Sequence, residues 1–408
     1  MVDRHAVFVV PFFMAATLRF VSAAAQLPGV RLSVISQDPA ERLPAALRQK
    51  LLGHWRIDNC FDPAKVVAAT RELAARLGGV DRLFGSLEQL QVPLAEARQA
   101  LGLPGLTVEA ANNFRDKNQM KNRLEAAGLP CARHRLAASA AEARDFCRSS
   151  GMPVVVKPPA GAGARNTFRI NSPDELAVWL RSDAPSAAQP VLLEEYLQGE
   201  EFSFDSIMID GRVVWHSISC YRPAPLTVLE NPWIQWCVLL PRDIDGAEFD
   251  PIRRAGTQAL SVLGLETGMT HMEWFRRTDG SIAISEVAAR PPGAQFTSLI
   301  SFASDLDFYA AWPRLQVFDQ FEVPERHYAA GAAYLRGMGD GPVRAVHGVA
   351  ELKREFGGIM VDSYWPVVGS SQPAGYEGSG FVIYRHPETA VVEQALRRTV
   401  ETVRVELG

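Results

Sequence analysis

The segment GMTHMEWFRRTDGSIAISEVAARPPG, residues 268–293, contains two strand-like runs joined by Asp279-Gly280. An Asp-Gly pair between two such runs predicts a β-hairpin with a two-residue type I′ turn. Counted outward from that turn, Glu273 lies directly opposite Glu286. Cross-strand partners share one face of a sheet, with Cβ atoms about 4.5–5.5 Å apart. The hairpin therefore predicts two carboxylates side by side.

Two facing carboxylates repel each other unless a cation or a proton lies between them. Magnesium prefers oxygen ligands and usually shares them with nucleotide phosphates, so Glu273 and Glu286 are candidate metal ligands. The alternative is an exposed hairpin with two solvated glutamates, but Glu286 lies within the apolar run IAISEVAA. Without metal, we expect one of the two pKa values to be raised. We also expect Glu286→Gln to leave the apo protein as stable or slightly more so.

The same register places Arg277 opposite Ile282. Arg290 follows Glu286 by four residues and precedes Pro291-Pro292-Gly293. A fixed guanidinium at that point is suited to hold a transferring phosphoryl group or an acyl phosphate.

The second diagnostic segment is MPVVVKPPAGAGARNTFRI, residues 152–170, in which three valines form a strand that ends at Lys157. Gly161 and Gly163 lie in the loop beyond two prolines. Glycines let backbone N–H groups approach a phosphate closely, and a lysine at a strand end adds a positive charge. The spacing differs from that of a P-loop, so an ordinary surface turn stays open as the alternative.

The third segment, PVLLEEYLQGEEFSFDSIMIDGRVV at residues 190–214, runs from an apolar strand into Glu194 and Glu195. An extended segment after a buried strand can offer backbone groups to a purine edge. A carboxylate a few residues later can hold the ribose hydroxyls. The alternative is a solvated acidic turn, and on the residues alone it fits Glu195 and Glu200 better.

The composition excludes several classes of protein. The 408 residues carry a formal net charge of -4 and no Lys/Arg-rich run, so nucleic acid is not expected as a partner. No apolar run reaches the roughly 18 residues that would predict a membrane span. The five cysteines contain no Cys-x-x-Cys pair and fit reduced thiols better than a disulfide framework or a zinc site.

The N-terminal segment has the outline of a secretory signal, with Arg4 before an apolar run and alanines at 23–25. Arg19 lies between the run and the alanines, which argues against a signal. A strand at Ala6–Val10 and a helix at Met14–Gln26 fit the segment better. We therefore expect a cytoplasmic protein.

The order of patterns predicts three units. Alternating strand and helix patterns over residues 1–110 predict a parallel sheet flanked by helices. Helix-forming residues run from 108 to 127, with Gly128 as the C-cap. Residues 111–325 have a mixed pattern with hairpins, and residues 326–408 predict a small α/β unit that closes with an amphipathic helix. The expected fold class is therefore α/β and α+β.

Taken in this order, the three segments resemble the ATP-grasp superfamily, and the match extends from about Arg115 to Gly293. The overall plan resembles carboxylate–amine ligases of the L-amino-acid ligase and D-alanine–D-alanine ligase type. The resemblance implies a pre-ATP-grasp α/β domain at 1–110 and an ATP-grasp domain at 111–325 whose two halves hold the nucleotide. It implies a small C-terminal α/β domain at 326–408.

The resemblance also implies a role for each matched residue. It assigns Lys117 in the segment RDKNQMK and Lys157 to ATP, the loop 160–165 to a lid over the triphosphate, and Arg290 to the reacting phosphate. Arg290 and Lys157 are thus the candidates for catalysis. The remaining residues that it assigns are Gly161 and Gly163 in the lid, Glu194, Glu195 and Leu197 at adenine, Glu201 at the ribose, and Glu273 and Glu286 on Mg²⁺, with Mn²⁺ as an alternative.

One position departs from the family pattern. Two residues after the second acidic ligand the family usually has asparagine, but this chain has Ala288. One oxygen ligand is therefore missing, and the number of magnesium sites, one or two, stays open.

The resemblance implies an enzyme that phosphorylates a carboxylate with ATP and joins it to an amine, releasing ADP and phosphate. Two alternatives stay open: a bicarbonate-activating carboxylase-type enzyme, and a non-catalytic nucleotide-binding regulator, which Ala288 favours. The expected partners are small-molecule carboxylate and amine substrates, with neither nucleic acid nor membrane, and a homodimer stays open. Glu88 either faces substrate or only begins a helix, and Trp233 and Trp236 either shape a substrate pocket or pack under the lid.

Overall fold

The computed structural model describes residues 3–161, 163, 166–231, 233–373 and 375–408. The predicted lid at 160–165 thus falls partly outside the described residues, at Ala162, Ala164 and Arg165. Gly161 and Gly163 are described, and Gly163 has a φ of +65°.

The N-terminal elements form an α/β unit around a parallel sheet of order β3-β2-β1-β4. Five of the six residues of the first strand are buried, because both faces of this sheet are covered by helices. A short 3-10 helix at Glu88–Leu90 follows the fourth strand. The bounds of the elements are β1 Arg4–Val9, α1 Ala15–Ala24, β2 Val30–Ser36, α2 Ala45–Arg48, β3 Gly53–Arg56, α3 Pro63–Leu77, β4 Arg82–Phe84 and α4 Gln91–Leu101.

The next elements contain a small antiparallel sheet of order β5-β8-β6-β7. Their bounds are α5 Val108–Arg115, α6 Lys117–Ala126, β5 His134–Ala137, α7 Ala140–Ser150, β6 Val154–Lys157, β7 Phe168–Ile170, α8 Pro173–Ser182 and β8 Val191–Glu195.

The single helix predicted for residues 108–127 is wrong, because Asp116 divides it. The Asp116 carboxylate accepts hydrogen bonds from the backbone N–H groups of Asn118 and Gln119, both at 2.9 Å. A side chain in this role is an N-cap, which begins a new helix. The break makes Lys117 the first residue of α6 and thereby fixes where its side chain leaves the backbone.

A third sheet, of eight strands, has the order β13-β12-β9-β10-β11-β14-β18-β17 and crosses the boundary predicted at 325/326. The strands at residues 199–288 and the helices around them are β9 Gly199–Ile209, β10 Arg212–Arg222, α9 Pro225–Glu230, β11 Trp236–Leu240, α10 Asp250–Leu263, β12 Gly268–Arg277, β13 Ile282–Ala288, α11 Phe296–Ser304 and α12 Phe308–Phe318. The C-terminal elements are β14 Ala329–Leu335, β15 Gly337–Met338, β16 Val343–His347, α13 Val349–Phe356, β17 Met360–Tyr364, β18 Gly380–His386, α14 Thr389–Thr402 and β19 Arg404–Leu407.

Helix α12 joins the N-terminal sheet to the large sheet. The Trp312 ring lies 6.0 Å from Phe8 and 5.7 Å from Phe84, so the helix covers the face of β1 and β4. Trp312 also contacts Phe20 of α1 at 5.2 Å. The shared aromatic core fixes α1 against the helices that follow β13.

The hairpin of β12 and β13 forms, but its turn differs from the prediction. Arg276, not Arg277, pairs with Ile282, and only Gly280 of the Asp279-Gly280 pair has a positive φ, +82°. A type I′ turn needs positive φ at both positions, so the connection is a three-residue loop. The two-residue turn is therefore wrong.

A second irregularity restores the register farther from the turn. Glu273 pairs with Glu286, whereas Trp274 pairs with Ile284, so Ser285 is the extra residue of a β-bulge. The predicted pairing of the two glutamates is confirmed, although by two compensating shifts.

No helix in the described part of the chain is long and apolar enough to cross a bilayer.

Candidate active site

A cavity of about 1130 Å³ lies among the N-terminal unit, the small sheet and the β12–β13 hairpin. Its wall also includes α1, the segment that leads from β13 into α11, and Tyr376 from the C-terminal elements. Every site residue predicted from the sequence lines this cavity: Lys117, Lys157, Gly161, Gly163, Glu194, Glu195, Leu197, Glu201, Glu273, Glu286 and Arg290.

Lys157 ends β6 inside the cavity and is paired with a buried carboxylate. Its Nζ lies 2.8 Å from Oε1 of Glu194 on the neighbouring strand β8. Burial alone would lower the pKa of Lys157, but the carboxylates of Glu194 and Glu286 outweigh burial and raise it. Lys157 is therefore a cation at neutral pH, held in a fixed position.

Sequence reasoning missed Lys121, which completes this cluster. The Lys121 side chain is fully buried, lies 3.3 Å from Glu194 Oε1, and donates to the carbonyl of the bulge residue Ser285 at 2.8 Å. Burial lowers its pKa against the opposing effect of Glu194. Its position four residues after Lys117 on one helix was the available signal. Glu194 thus holds two lysines, a role that the adenine assignment did not include.

Lys117 contacts the second glutamate of the hairpin. Its Nζ lies 2.9 Å from Glu286 Oε1 and donates to the carbonyl of Gly161 at 3.1 Å. Burial disfavours the charged form of Glu286, but Lys117 and then Lys157 outweigh it and lower its pKa to about 2. The sequence predicted mutual repulsion of the glutamates in the apo protein. That prediction is wrong for Glu286, because lysines neutralise it.

The raised carboxyl pKa occurs instead at Glu201 on β9. Glu201 is buried, and burial together with the Glu273 carboxylate raises its pKa well above the ordinary value. A neutral carboxyl can donate as well as accept a hydrogen bond. Such a group matches a pair of ribose hydroxyls.

Glu88 connects Arg290 to the N-terminal unit. Oε2 of Glu88 accepts hydrogen bonds from Arg290 Nη2 at 2.7 Å and Nε at 3.0 Å, and Oε1 lies 3.2 Å from Nη1 of Arg115. Burial would lower the pKa of Arg290, but Glu88 raises it. Glu88 therefore faces the cavity, and there it orients Arg115 and Arg290.

The segment after β8 has two different kinds of group. The Glu195 carboxylate forms ion pairs with Arg133 at 2.8 Å and with Arg277 at 3.0 Å, so it joins strands rather than facing ligand. Leu197 is 9% exposed, and its backbone N–H donates no hydrogen bond within the described residues. A free N–H at the wall of a cavity is suited to a purine ring nitrogen.

Comparison with known proteins identifies a family for the part of the chain that contains most of the site. Residues 122–301 match the ATP-grasp domain family. The chain contains an ATP-grasp domain. Most of the charged residues of the site lie within residues 122–301, whereas Lys117 and Lys121 precede them and Glu88 comes from the N-terminal elements.

The relatives are distant. Over 66% of this chain and 66% of its own length, an L-arginine-specific L-amino acid ligase from Bacillus subtilis is 24% identical. An alanine–anticapsin ligase from Bacillus subtilis is 25% identical over 59% of this chain and 54% of its own length, so the chain spans only about half to two thirds of these relatives. The crystal structure of an L-amino acid ligase from Bacillus licheniformis superposes with a TM-score of 0.80 over 100% of both chains at 19% identity, which confirms the ATP-grasp fold.

His271 is a further residue of the ATP-grasp domain that sequence reasoning missed. It lies two residues before Glu273 on β12, with its Nδ1 2.5 Å from Asp205 and its Nε2 3.2 Å from the Tyr221 hydroxyl. Burial would lower the pKa of His271, but Asp205 and then Glu273 raise it to about 9. Its cross-strand partner is Ala288. The position where the family usually has asparagine therefore lies beside an imidazolium.

The pKa of His271 predicts a loss of stability in mild alkali. A group whose pKa rises on folding, here from 6.5 to about 9, stabilises the protein fully below pH 6.5 and loses this effect as the pH approaches 9. The loss is at most roughly 3.5 kcal/mol, since the pKa rises from 6.5 to about 9 and one pKa unit corresponds to about 1.4 kcal/mol. Urea unfolding of wild type and His271→Gln at pH 6 and pH 9.5 measures it. We expect the difference in unfolding free energy between the two proteins to shrink at the higher pH. A constant difference, like that expected for the exposed His347→Gln control, would contradict a charged His271.

Proposed function

We propose that this chain is an ATP-dependent carboxylate–amine ligase that forms an amide through an acyl phosphate. The observation that carries this proposal is the convergence of three charge sets on one cavity: the lysines on Glu194, the paired Glu273 and Glu286, and Arg290 held by Glu88. Phosphoryl transfer requires little covalent chemistry from a protein but much positioning and charge neutralisation. These groups are suited to that task.

In this proposal, the nucleotide lies between the small sheet and the hairpin. Lys117 and Lys157 contact the phosphates, with Gly161 and Gly163 in the loop above them. The Leu197 N–H binds adenine, and Glu201 binds the ribose. Lys117 leaves Gly161 when a phosphate oxygen replaces that carbonyl as its partner.

The residues present fit a magnesium ion shared with ATP. Glu273 and Glu286 line one cavity from adjacent strands, and the described residues contain no cluster of three or more His, Cys, Asp or Glu that would cage a metal alone. Mg²⁺ typically takes one or two protein carboxylates and completes its shell with phosphates and water. Mg²⁺, or Mn²⁺ in its place, would neutralise charge on the phosphates.

The chemical steps balance without any further reactant. A carboxylate oxygen of the first substrate attacks the γ-phosphorus of ATP, which releases ADP and leaves an acyl phosphate. The amine of the second substrate attacks the acyl carbon, phosphate leaves with the bridging oxygen, and the amine loses a proton. Arg290 neutralises the transferring phosphoryl group, and the closed loop excludes water from the acyl phosphate.

The three-unit organisation at 1–110, 111–325 and 326–408 belongs to this proposal. In it, the N-terminal unit supplies Glu88 and α1 to the substrate side. Because ATP is an intracellular metabolite, we place the enzyme in the cytoplasm.

Phosphate release from Mg-ATP in the presence of amino acids tests the proposed function. We expect release that depends on pairs of amino acids and is accompanied by one dipeptide per phosphate. Release that depends on bicarbonate would favour the carboxylase-type alternative. ATP binding without release under any of these conditions would favour the non-catalytic regulator.

A further inference from the structure

Helix α1 contributes an unassigned set of groups to the cavity. Ala15, Ala16, Thr17 and Arg19 all line it, and none of them belongs to the ATP or metal residues described above. They come from the N-terminal unit, which packs on α12 and reaches α11 through the hydrogen bond of Arg19 to Ser298.

Arg19 differs from the other cations of the cavity. Lys117, Lys157 and Arg290 are each paired with a glutamate, whereas Arg19 has no acidic partner within the described ranges. Its guanidinium is nevertheless fixed, because it donates to Ser298 Oγ at 3.0 Å and lies 3.9 Å from the centre of the Tyr309 ring. A fixed guanidinium with free N–H groups is suited to a planar oxyanion such as a carboxylate.

The first turn of α1 adds donors beside Arg19. Its N-cap, Met14, provides no capping side chain, and the turn contains no acidic residue. The backbone N–H groups of Ala15, Ala16 and Thr17 donate no hydrogen bond to any described residue. Such an end carries partial positive charge and binds anions.

Thr17 is the independent sign that this end faces a ligand. Its residue is only 4% exposed, yet it lines the cavity and its hydroxyl has no hydrogen-bond partner in the described part of the chain. Buried hydroxyls are nearly always hydrogen-bonded, so an unpaired one at a cavity wall points to a partner that enters from the cavity.

We propose that Arg19, Thr17 and the N-terminus of α1 bind the non-reacting carboxylate of the amine substrate. The inference rests on the proposed function and makes the acceptor an amino acid rather than a simple amine. Such a subsite would also have a chemical purpose. An acceptor that carries its own carboxylate presents two carboxylates to one phosphorylation site, and a separate subsite keeps the second from being phosphorylated.

The test compares the twenty standard L-amino acids, as acceptors, with their α-amides, in which a carboxamide replaces the α-carboxylate. For wild type, we expect the acid to exceed its amide in kcat/KM by about 10- to 100-fold, since losing a charge-assisted hydrogen bond costs about 1.5–3 kcal/mol. In Arg19→Gln, activity with the acid should fall to that with the amide, whereas activity with the amide should stay near wild type. Arg19→Lys should recover part of the preference. The control is Arg48→Gln, which changes an exposed arginine of the same unit that forms no ion pair with any described residue; it should alter neither activity.

Several results would overturn the subsite while leaving the ligase proposal intact. These are equal use of acid and amide by wild type, an acid preference that survives in Arg19→Gln, or a preference for phosphoethanolamine over every amino acid. If no acceptor supports turnover, the ligase proposal fails separately. Calorimetric titration of each amino acid and its amide into protein saturated with a non-hydrolysable ATP analogue then decides the subsite. Acid-selective binding that Arg19→Gln removes supports it, and its absence overturns it.

Discussion

Glu286→Gln is expected to reduce turnover by about 100- to 1000-fold, the loss typical when one preorganised charge-stabilising group is removed from an active site. Glu286 is the centre of the site's charge balance, since it contacts Lys117 at 2.9 Å and pairs across the hairpin with Glu273. The amide keeps the shape but loses the negative charge that balances Lys117 and Lys157 and that the proposed metal ion would need. Phosphate release at saturating Mg-ATP measures the effect.

The matched control is Glu266→Gln, an exposed glutamate of the same domain. We expect it to keep wild-type turnover. Normal turnover in Glu286→Gln would contradict the metal assignment, and with it most of the case for phosphoryl transfer at this hairpin.

Glu286→Gln also has an expected effect on stability, opposite to the one expected from the sequence. Because lysines lower the folded pKa of Glu286 to about 2, its charge stabilises the apo protein above the unfolded pKa of 4.5. This stabilisation is lost as the pH falls from 4.5 towards 2. We therefore expect the variant to be less stable than wild type at pH 7, with the difference shrinking in acid. Chemical unfolding of wild type and variant, at pH 7 and in acid, measures this difference in stability.

Arg290→Gln is expected to lower kcat by about 100- to 1000-fold while leaving the KM for ATP close to the wild-type value. The proposed contact of Arg290 is with the transferring phosphoryl group, so the loss should appear in the chemical step rather than in nucleotide binding. Its side chain is held by two hydrogen bonds to Glu88, which fix it without a ligand.

The control for Arg290 is Arg254→Gln, an exposed arginine on α10 without an ion pair among the described residues. Steady-state kinetics on both variants show whether Arg290 acts in the chemical step or only in nucleotide binding. A rise in the KM for ATP with unchanged kcat would show that Arg290 contributes only to binding.

Several parts of the fold and site could be predicted from the sequence because they depend on local pattern. The short apolar runs at residues 154–156 and 191–193 predict β6 and β8, and therefore the positions of Lys157 and Glu194. The pairing of Glu273 with Glu286 was predicted because the loop residue and the bulge at Ser285 shift the register in opposite directions. The prediction was therefore correct only because the two register shifts cancel, and no local sequence pattern shows either shift.

The remaining features depend on contacts between distant segments. Lys121 looks like any lysine of an exposed helix, and only the packing of α6 on β8 and β13 shows that it is fully buried. The charge on His271 comes from Asp205, which lies 66 residues earlier in the chain. Likewise, β19 was predicted as the end of a helix, because its pairing with β15 and β16 is not visible in the residues 404–407 alone.

The pKa values of the paired glutamates likewise depend on contacts between distant segments. The sequence places two glutamates together but does not show which cations reach them. Lys117 reaches Glu286 because Asp116 begins a new helix one residue earlier.

In the proposed reaction, a substrate carboxylate becomes an acyl phosphate. Labelling that carboxylate with ¹⁸O and analysing the released phosphate by mass spectrometry tests this step most directly. If the carboxylate attacks the γ-phosphorus and the amine then attacks the acyl carbon, each phosphate released with the amide must contain one ¹⁸O atom. Phosphate free of ¹⁸O, released at the same rate as product forms, would contradict the account.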